Sequence, residues 1–117
     1  MNDIIEELKQ TPMETFGFDA RIFDAVKAGN YYLSCQGSGG HYCYPRTLLP
    51  IDKYSSLEVA VYNNKRKMIN ISRSSVLRKF PHYSKLLECS DGSILSWVDI
   101  NLLNDLYKYL KDYEPRK

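Results

Sequence analysis

Residues 31–46, YYLSCQGSGGHYCYPR, limit the fold more than any other part of the chain. The segment opens on strict alternation. Tyr31, Leu33 and Cys35 share one side of an extended chain, and Tyr32, Ser34 and Gln36 share the other, so 31–36 predicts a β-strand. Gly37-Ser38-Gly39-Gly40 then breaks the pattern. His41-Tyr42-Cys43-Tyr44 alternates again and predicts a short second strand, and Tyr44-Pro45-Arg46 is the exit. The Tyr44–Pro45 bond is a candidate for the cis form, which costs little before proline.

The rest of the chain supplies partners for that strand. Asn2 is placed to cap a first short helix with Ile4, Ile5 and Leu8 on one stripe. Thr11, Pro12 and Glu14 carry the spacing of a helical capping box. Asp19 then caps a second helical run that buries Ile22, Phe23, Ala25 and Val26, closed by Gly29 in a left-handed cap. Residues 57–62 are the clearest strand, with Leu57, Val59 and Val61 on one side. Asn63, Asn64, Lys65, Arg66 and Lys67 form a turn, and 68–72 returns as the partner strand, giving a β-hairpin with a basic tip. Ser74 or Ser75 starts a helical stretch with Val76, Leu77 and Phe80, broken by Pro81. Residues 83–88 form another helical turn, 90–93 a tight turn, and 94–98 a further strand. Asp99 caps the last helix, whose Leu102, Leu103, Leu106, Tyr109, Leu110 and Tyr113 make a broad apolar face that Pro115 ends. The expected architecture is a single α+β domain over 1–117: a small, mostly antiparallel sheet with helices from the N-terminus and C-terminus packed on one face.

Composition narrows the function classes. At 117 residues, 44% hydrophobic and 26% charged, the chain suits one ordinary globular core without staples. No apolar run approaches ~18 residues, so no membrane span is expected. MNDIIEELKQ lacks a basic segment followed by an apolar one and is not read as a signal peptide. Three cysteines in such a chain are expected as free thiols, and the expected location is cytoplasmic. The net charge of +2 is too mild to imply a nucleic-acid partner by itself. Its distribution is uneven, however. Asp3, Glu6, Glu7, Glu14, Asp19 and Asp24 face only Lys9 and Arg21 at one end. Lys65, Arg66, Lys67, Arg73, Arg78, Lys79 and Lys85 run without an acid between them.

Complete catalytic or cofactor motifs are missing. Cys35, His41 and Cys43, with His82 and Cys89 further on, are zinc-ligand types at spacings no common zinc motif uses, so no metal or cofactor is expected. His41 and Cys43, two apart on a strand, would sit on one side roughly 6–7 Å apart, a marginal separation for a nucleophile and its base. The glycine cluster lacks the lysine of a phosphate-binding loop. The basic 65–79 region beside Tyr42 and Tyr44 offers phosphate contacts and stacking platforms for a nucleic acid, without a recognised motif. Ten tyrosines with several arginines fit a protein interface, where such side chains bury area and still make polar contacts.

The central segment resembles a group of short uncharacterised bacterial and phage proteins. The shared pattern is Ser34-x-Gln36-x-Ser38-x-x-His41-Tyr42-Cys43-x-Pro45-Arg46, followed by a strand like Leu57-Glu58-Val59-Ala60-Val61. It covers about a third of the chain and implies no particular activity. The N-terminal helices and the basic tip look like additions to it. Small single-domain proteins of phages and mobile elements include stoichiometric inhibitors of host machinery, anti-CRISPR proteins among them. The expectation is thus a non-catalytic protein-binding module with an acidic partner surface. Gln36, His41, Tyr42, Tyr44 and Arg46 of the loop would join Lys65, Arg66 and Lys67 in one binding surface, with His41 alternatively bracing the loop. The rivals are a nucleic-acid binder and a thiol- or zinc-dependent enzyme centred on His41 and Cys43.

Overall fold

The computed structural model describes residues 3–113. It is an α+β fold built on a five-stranded antiparallel sheet and a separate two-stranded hairpin. The strands are β1 (Met13–Phe16), β2 (Ala20–Phe23), β3 (Val26–Ala28), β4 (Tyr31–Gln36), β5 (Ser56–Tyr62), β6 (Ser90–Asp91) and β7 (Ile94–Asp99). The helices are α1 (Ile4–Lys9), α2 (Ser75–Arg78), α3 (Tyr83–Cys89) and α4 (Ile100–Asp112). The large sheet runs β3-β4-β5-β7-β6, and β1 pairs only with β2.

Period-two burial on β4 and β5 sets the core. Leu33 lies opposite Val61 and Cys35 opposite Val59, and all four are essentially inaccessible. Leu57, Leu95 and Val98 extend the same buried layer, and Leu103, Leu106 and Leu110 of α4 close it. Helix α4 packs on β3, β4 and β7, and α1 packs on α4, so both terminal helices serve one side of the sheet. Asp99 caps α4 by accepting from the Asn101 and Leu102 amides, and Ser74 caps α2 through the Leu77 amide. Both caps follow the sequence expectation. Among the described residues, no helix is long and apolar enough to cross a membrane.

Three expectations are corrected. Asn2 lies outside the described residues; Asp3 is the cap of α1, its carboxylate accepting from the Glu6 amide at 2.9 Å. The helices expected over 11–28 are strands. The Thr11 hydroxyl donates back to the Glu7 carbonyl at 2.7 Å, finishing α1 instead of starting a new helix. Gly17, at φ 65°, then turns the chain between β1 and β2. Val26 and Ala28 are buried with Lys27 exposed between them, a period of two that a short apolar run conceals. Ile22, expected inside, is 48% exposed. Residues 68–72 do not form the expected partner strand. Strand β7 occupies the edge of β5 as far as Ala60. Only a single bridge from Tyr62 to Met68 forms beyond it. Asn70 then caps a short 3-10 turn over Ile71–Arg73.

Gly29 has the left-handed φ expected of it, 64°, but in the β3–β4 turn. A Cβ there would run into the Leu110 carbonyl of α4. Gly29→Ala is therefore expected to cost about 3 kcal/mol, combining the left-handed penalty with a clash against backbone. A denaturant midpoint unchanged by the substitution would contradict that packing.

Candidate functional site

The glycine-containing loop after β4 is tied down along its length. The buried Ser38 hydroxyl lies 2.7 Å from His41 Nδ1 and accepts from the Gly40 amide. The Gly39 amide donates to the Asp19 carbonyl at 2.7 Å. Arg21, 7% exposed, donates from Nη2 to the Gly37 carbonyl at 2.8 Å and stacks against Phe23 and Tyr54. Its Nε has no partner among the described residues. Further on, Tyr44 exchanges backbone bonds with Ser55 and Ser56, and the Tyr54 hydroxyl donates to the Thr47 carbonyl. The Tyr44–Pro45 peptide is cis. The strand expected at 41–44 is absent: the Cys43 amide turns back to the His41 carbonyl, and only Tyr44 bridges to Ser56.

This bracing decides what His41 and Cys43 can do. Burial holds the His41 imidazolium below the usual histidine range, the Arg21 charge adds to this, and Glu58 opposes it. His41 is thus a loop brace on two counts: its Nδ1 meets the Ser38 hydroxyl and its amide donates to the Ser38 carbonyl at 3.3 Å. Cys43 is buried, and its thiol donates to the Ser38 and Pro45 carbonyls. Burial pushes that thiol up, outweighing the bond to Ser38 and the charges of Arg46 and Arg21. Cys35 is pushed up by burial alone. Among the described residues, no three His, Cys, Asp or Glu side chains gather where a metal ion could be held. All three cysteines are free. Iodoacetamide at neutral pH is expected to modify half-buried Cys89 first, and Cys35 and Cys43 only on unfolding. Labelling of native Cys43 faster than a free thiol would revive the thiol-enzyme rival.

The outer side of the loop is different. Tyr42 is 45% exposed, Tyr44 66% and Trp97 54%. The Tyr42 and Trp97 rings lie 5.2 Å apart, tilted by 44°. The Arg46 guanidinium sits 4.9 Å over the Tyr42 ring, and the Trp97 amide donates to the Tyr42 carbonyl at 3.0 Å. Trp97 reaches this position through a bulge. Leu57 faces Val98 and Val59 faces Leu95, so Glu58 opposes both Ser96 and Trp97. Trp97 takes φ 52° there, rare for a bulky residue. Sequence alternation alone would place Trp97 on the buried side with Leu95. Its one readable signal is that it is the only tryptophan of the chain.

The remaining expected residues are distributed along the strands. Gln36 is buried, not presented: its side chain accepts from the Phe23 amide at 2.8 Å and donates to the Phe23 carbonyl at 2.9 Å, clamping β2 to the end of β4. Gln36 lies opposite Glu58 and Tyr32 opposite Tyr62. The loop and the basic turn therefore leave opposite ends of one strand pair, about 13 Å apart by strand rise. Lys65, Arg66 and Lys67 are exposed, their turn ordered by the Asn63 carboxamide, which accepts from the Lys65 and Lys67 amides. Arg66 folds back to lie 4.3 Å over the Tyr32 ring. Two adjoining depressions on the open sheet face, ≈ 280 and ≈ 220 Å³, share Ile22, Ser34, Gln36 and Tyr62. Arg66 lines the first and His41 the second, so these two expected residues meet one groove from its two ends. Tyr42 and Arg46 belong to the separate aromatic face with Trp97, and Tyr44 is exposed two residues further along the same loop.

The chain matches no protein-family model, no curated protein and no solved structure.

Proposed function

We propose that this protein is a non-catalytic module that binds another protein through Tyr42, Tyr44, Arg46 and Trp97. The observation that carries the reading is the exposed Tyr42–Trp97 pair, held in place by a bulged strand and a braced loop. Leaving such rings half in water forgoes roughly 2 kcal/mol of burial each. Tryptophan, tyrosine and arginine dominate interface energetics, and a surface already rigid loses less entropy on docking. Arg46, stacked on Tyr42, is positioned to meet a carboxylate on an acidic partner surface. Three free thiols suit a reducing compartment, which supports a cytoplasmic site of action. The inhibitor class, anti-CRISPR-like proteins included, is the finer form of this reading; it requires that the partner lose activity at a one-to-one ratio.

Affinity capture with wild type, Trp97→Ala and the double variant Tyr42→Ala/Tyr44→Ala tests it. Partners retained by wild type and lost by both variants support the reading. A double variant that retains every partner as well as wild type overturns it. The nucleic-acid alternative draws on the exposed Lys65 and Lys67 and on Arg66 over Tyr32. It requires a DNA or RNA affinity that falls steeply with salt, and no binding at low salt removes it.

A further inference from the structure

We propose that the notch beside Trp97 receives a cationic side chain, arginine or lysine, from the bound protein; this rests on the binding reading above and specifies the partner's chemistry. The notch, ≈ 560 Å³, is lined by Tyr42, Glu88, Cys89, Asp91, Ser96 and Trp97. Glu88 comes from the last turn of α3 and Asp91 from the edge strand β6. Both are exposed. The ion pairs among the described residues join Lys9 to Glu6 and Asp52, and His82 to Asp105, leaving Glu88 and Asp91 without a basic partner. The carbonyl end of α3 adds negative partial charge at the same place. Burial raises the neighbouring Cys89 thiol, and the Glu88 charge adds to it.

The walls favour the same ligand. Aromatic faces carry negative potential and attract cations, guanidinium above all. The chain itself shows this preference at the site, because Arg46 lies over Tyr42. Arg46 does not line the notch, whereas Glu88 and Asp91 do, and Glu58 Oε1 accepts from the Tyr42 amide at 3.4 Å. An acidic group entering the notch would meet like charge. A purely apolar group would strip water from two carboxylates and return nothing to them. A cation satisfies both the rings and the acids. The partner surface then alternates in sign, a carboxylate toward Arg46 and a cation toward Glu88 and Asp91.

The test is a selection from displayed random short peptides on the full chain, run in parallel on Trp97→Ala and on the double variant Glu88→Gln/Asp91→Asn. Peptides whose enrichment needs Trp97 are expected to share an arginine or lysine. For a synthetic arginine peptide, replacement by citrulline is expected to weaken binding about tenfold, and the Glu88→Gln/Asp91→Asn protein to lose the same factor. In that protein the gap between the arginine and citrulline peptides should narrow to the part the rings supply. Emission of Trp97 reports each titration without ambiguity, since the chain has no other tryptophan. If Trp97-dependent peptides are acidic or purely apolar, or citrulline serves as well as arginine, the cation site is wrong and the binding face stands. If no selected peptide depends on Tyr42 or Trp97, both are overturned.

Discussion

Trp97→Gly is expected to weaken partner or selected-peptide binding by about thirtyfold or more while leaving the protein as stable as wild type, within about 1 kcal/mol. The two halves of that result come from different parts of one residue. The backbone of Trp97 sits at φ 52°, where any side chain with a Cβ costs roughly 1–2 kcal/mol. Glycine removes that cost and adds roughly 0.5–1 kcal/mol of unfolded-chain entropy. The ring is 54% exposed and packs on Tyr42, so the half it buries contributes about 2 kcal/mol, which the strain released by glycine offsets in large part. Trp97→Ala separates the contributions: it removes the ring and keeps the left-handed Cβ. It should bind as poorly as the glycine variant and be less stable by about 1 kcal/mol. Chemical denaturation of the three proteins, beside fluorescence-polarisation binding to a labelled peptide, reads the whole pattern. An alanine variant more stable than the glycine variant would mean that the bulge does not hold Trp97 in the left-handed region. A wild-type-like affinity of either variant would remove Trp97 from the interface. A chain that retains a strained, half-exposed tryptophan gives up stability for a surface feature, the usual sign of a functional position.

How much of this was readable from sequence follows from the strength of each local pattern. Strands β4 and β5 and helix α4 combine strong periodicity with clear caps or breaks, and all three appear where the sequence places them. The stretch 11–28 points to helix by pattern yet folds as strands because Ile22, Phe23, Ala25 and Val26 satisfy a helical stripe as well as an interrupted extended one. The choice between them is made by β4, which offers Leu33 to Val26 and the Gln36 side chain to Phe23. The basic turn was legible, but its return strand was not, because β7 had already taken most of that edge of β5. Within the candidate site, Tyr42 and Tyr44 are exposed as a glycine-rich loop suggested. Gln36 is expected at the surface but holds β2 against β4 from within, while His41 takes the bracing role that the sequence offers as its alternative. Trp97 and Arg21 were missed for one reason: a bulge and a buried cation are properties of pairing, invisible along a single strand.

A stability effect as large as that of Gly29→Ala is expected at Gln36. Its carboxamide stands in for a strand, giving an acceptor to the Phe23 amide and a donor to the Phe23 carbonyl, with a further bond from Nε2 to Ser34 Oγ at 2.9 Å. Gln36→Leu keeps the volume and leaves both backbone groups of Phe23 unmatched beside a buried apolar side chain. Each such group costs about 1–3 kcal/mol, so a loss of about 3 kcal/mol is expected by denaturation, with faster hydrogen exchange at the Phe23 and Asp24 amides. Because Asp19 and Arg21 of the same hairpin hold Gly39 and Gly37 of the loop, binding through Tyr42 should weaken too, though less than in Trp97→Gly. Gln36→Glu gives a signed control. Protonated, a carboxyl here can donate to the Phe23 carbonyl and accept from its amide as the carboxamide does; ionised, it has no proton to give and is desolvated. Its folded pKa is therefore expected above the unfolded value of ~4.3. The stability it contributes would be fully present below that value and lost as pH rises through the folded pKa. Taken as the difference between the Glu and Leu variants, the acid-side cost of protonating His41 cancels, leaving the carboxyl alone. A difference that stays flat with pH, or a Leu variant within about 0.5 kcal/mol of wild type, would show that β2 is held to the sheet by something other than this side chain.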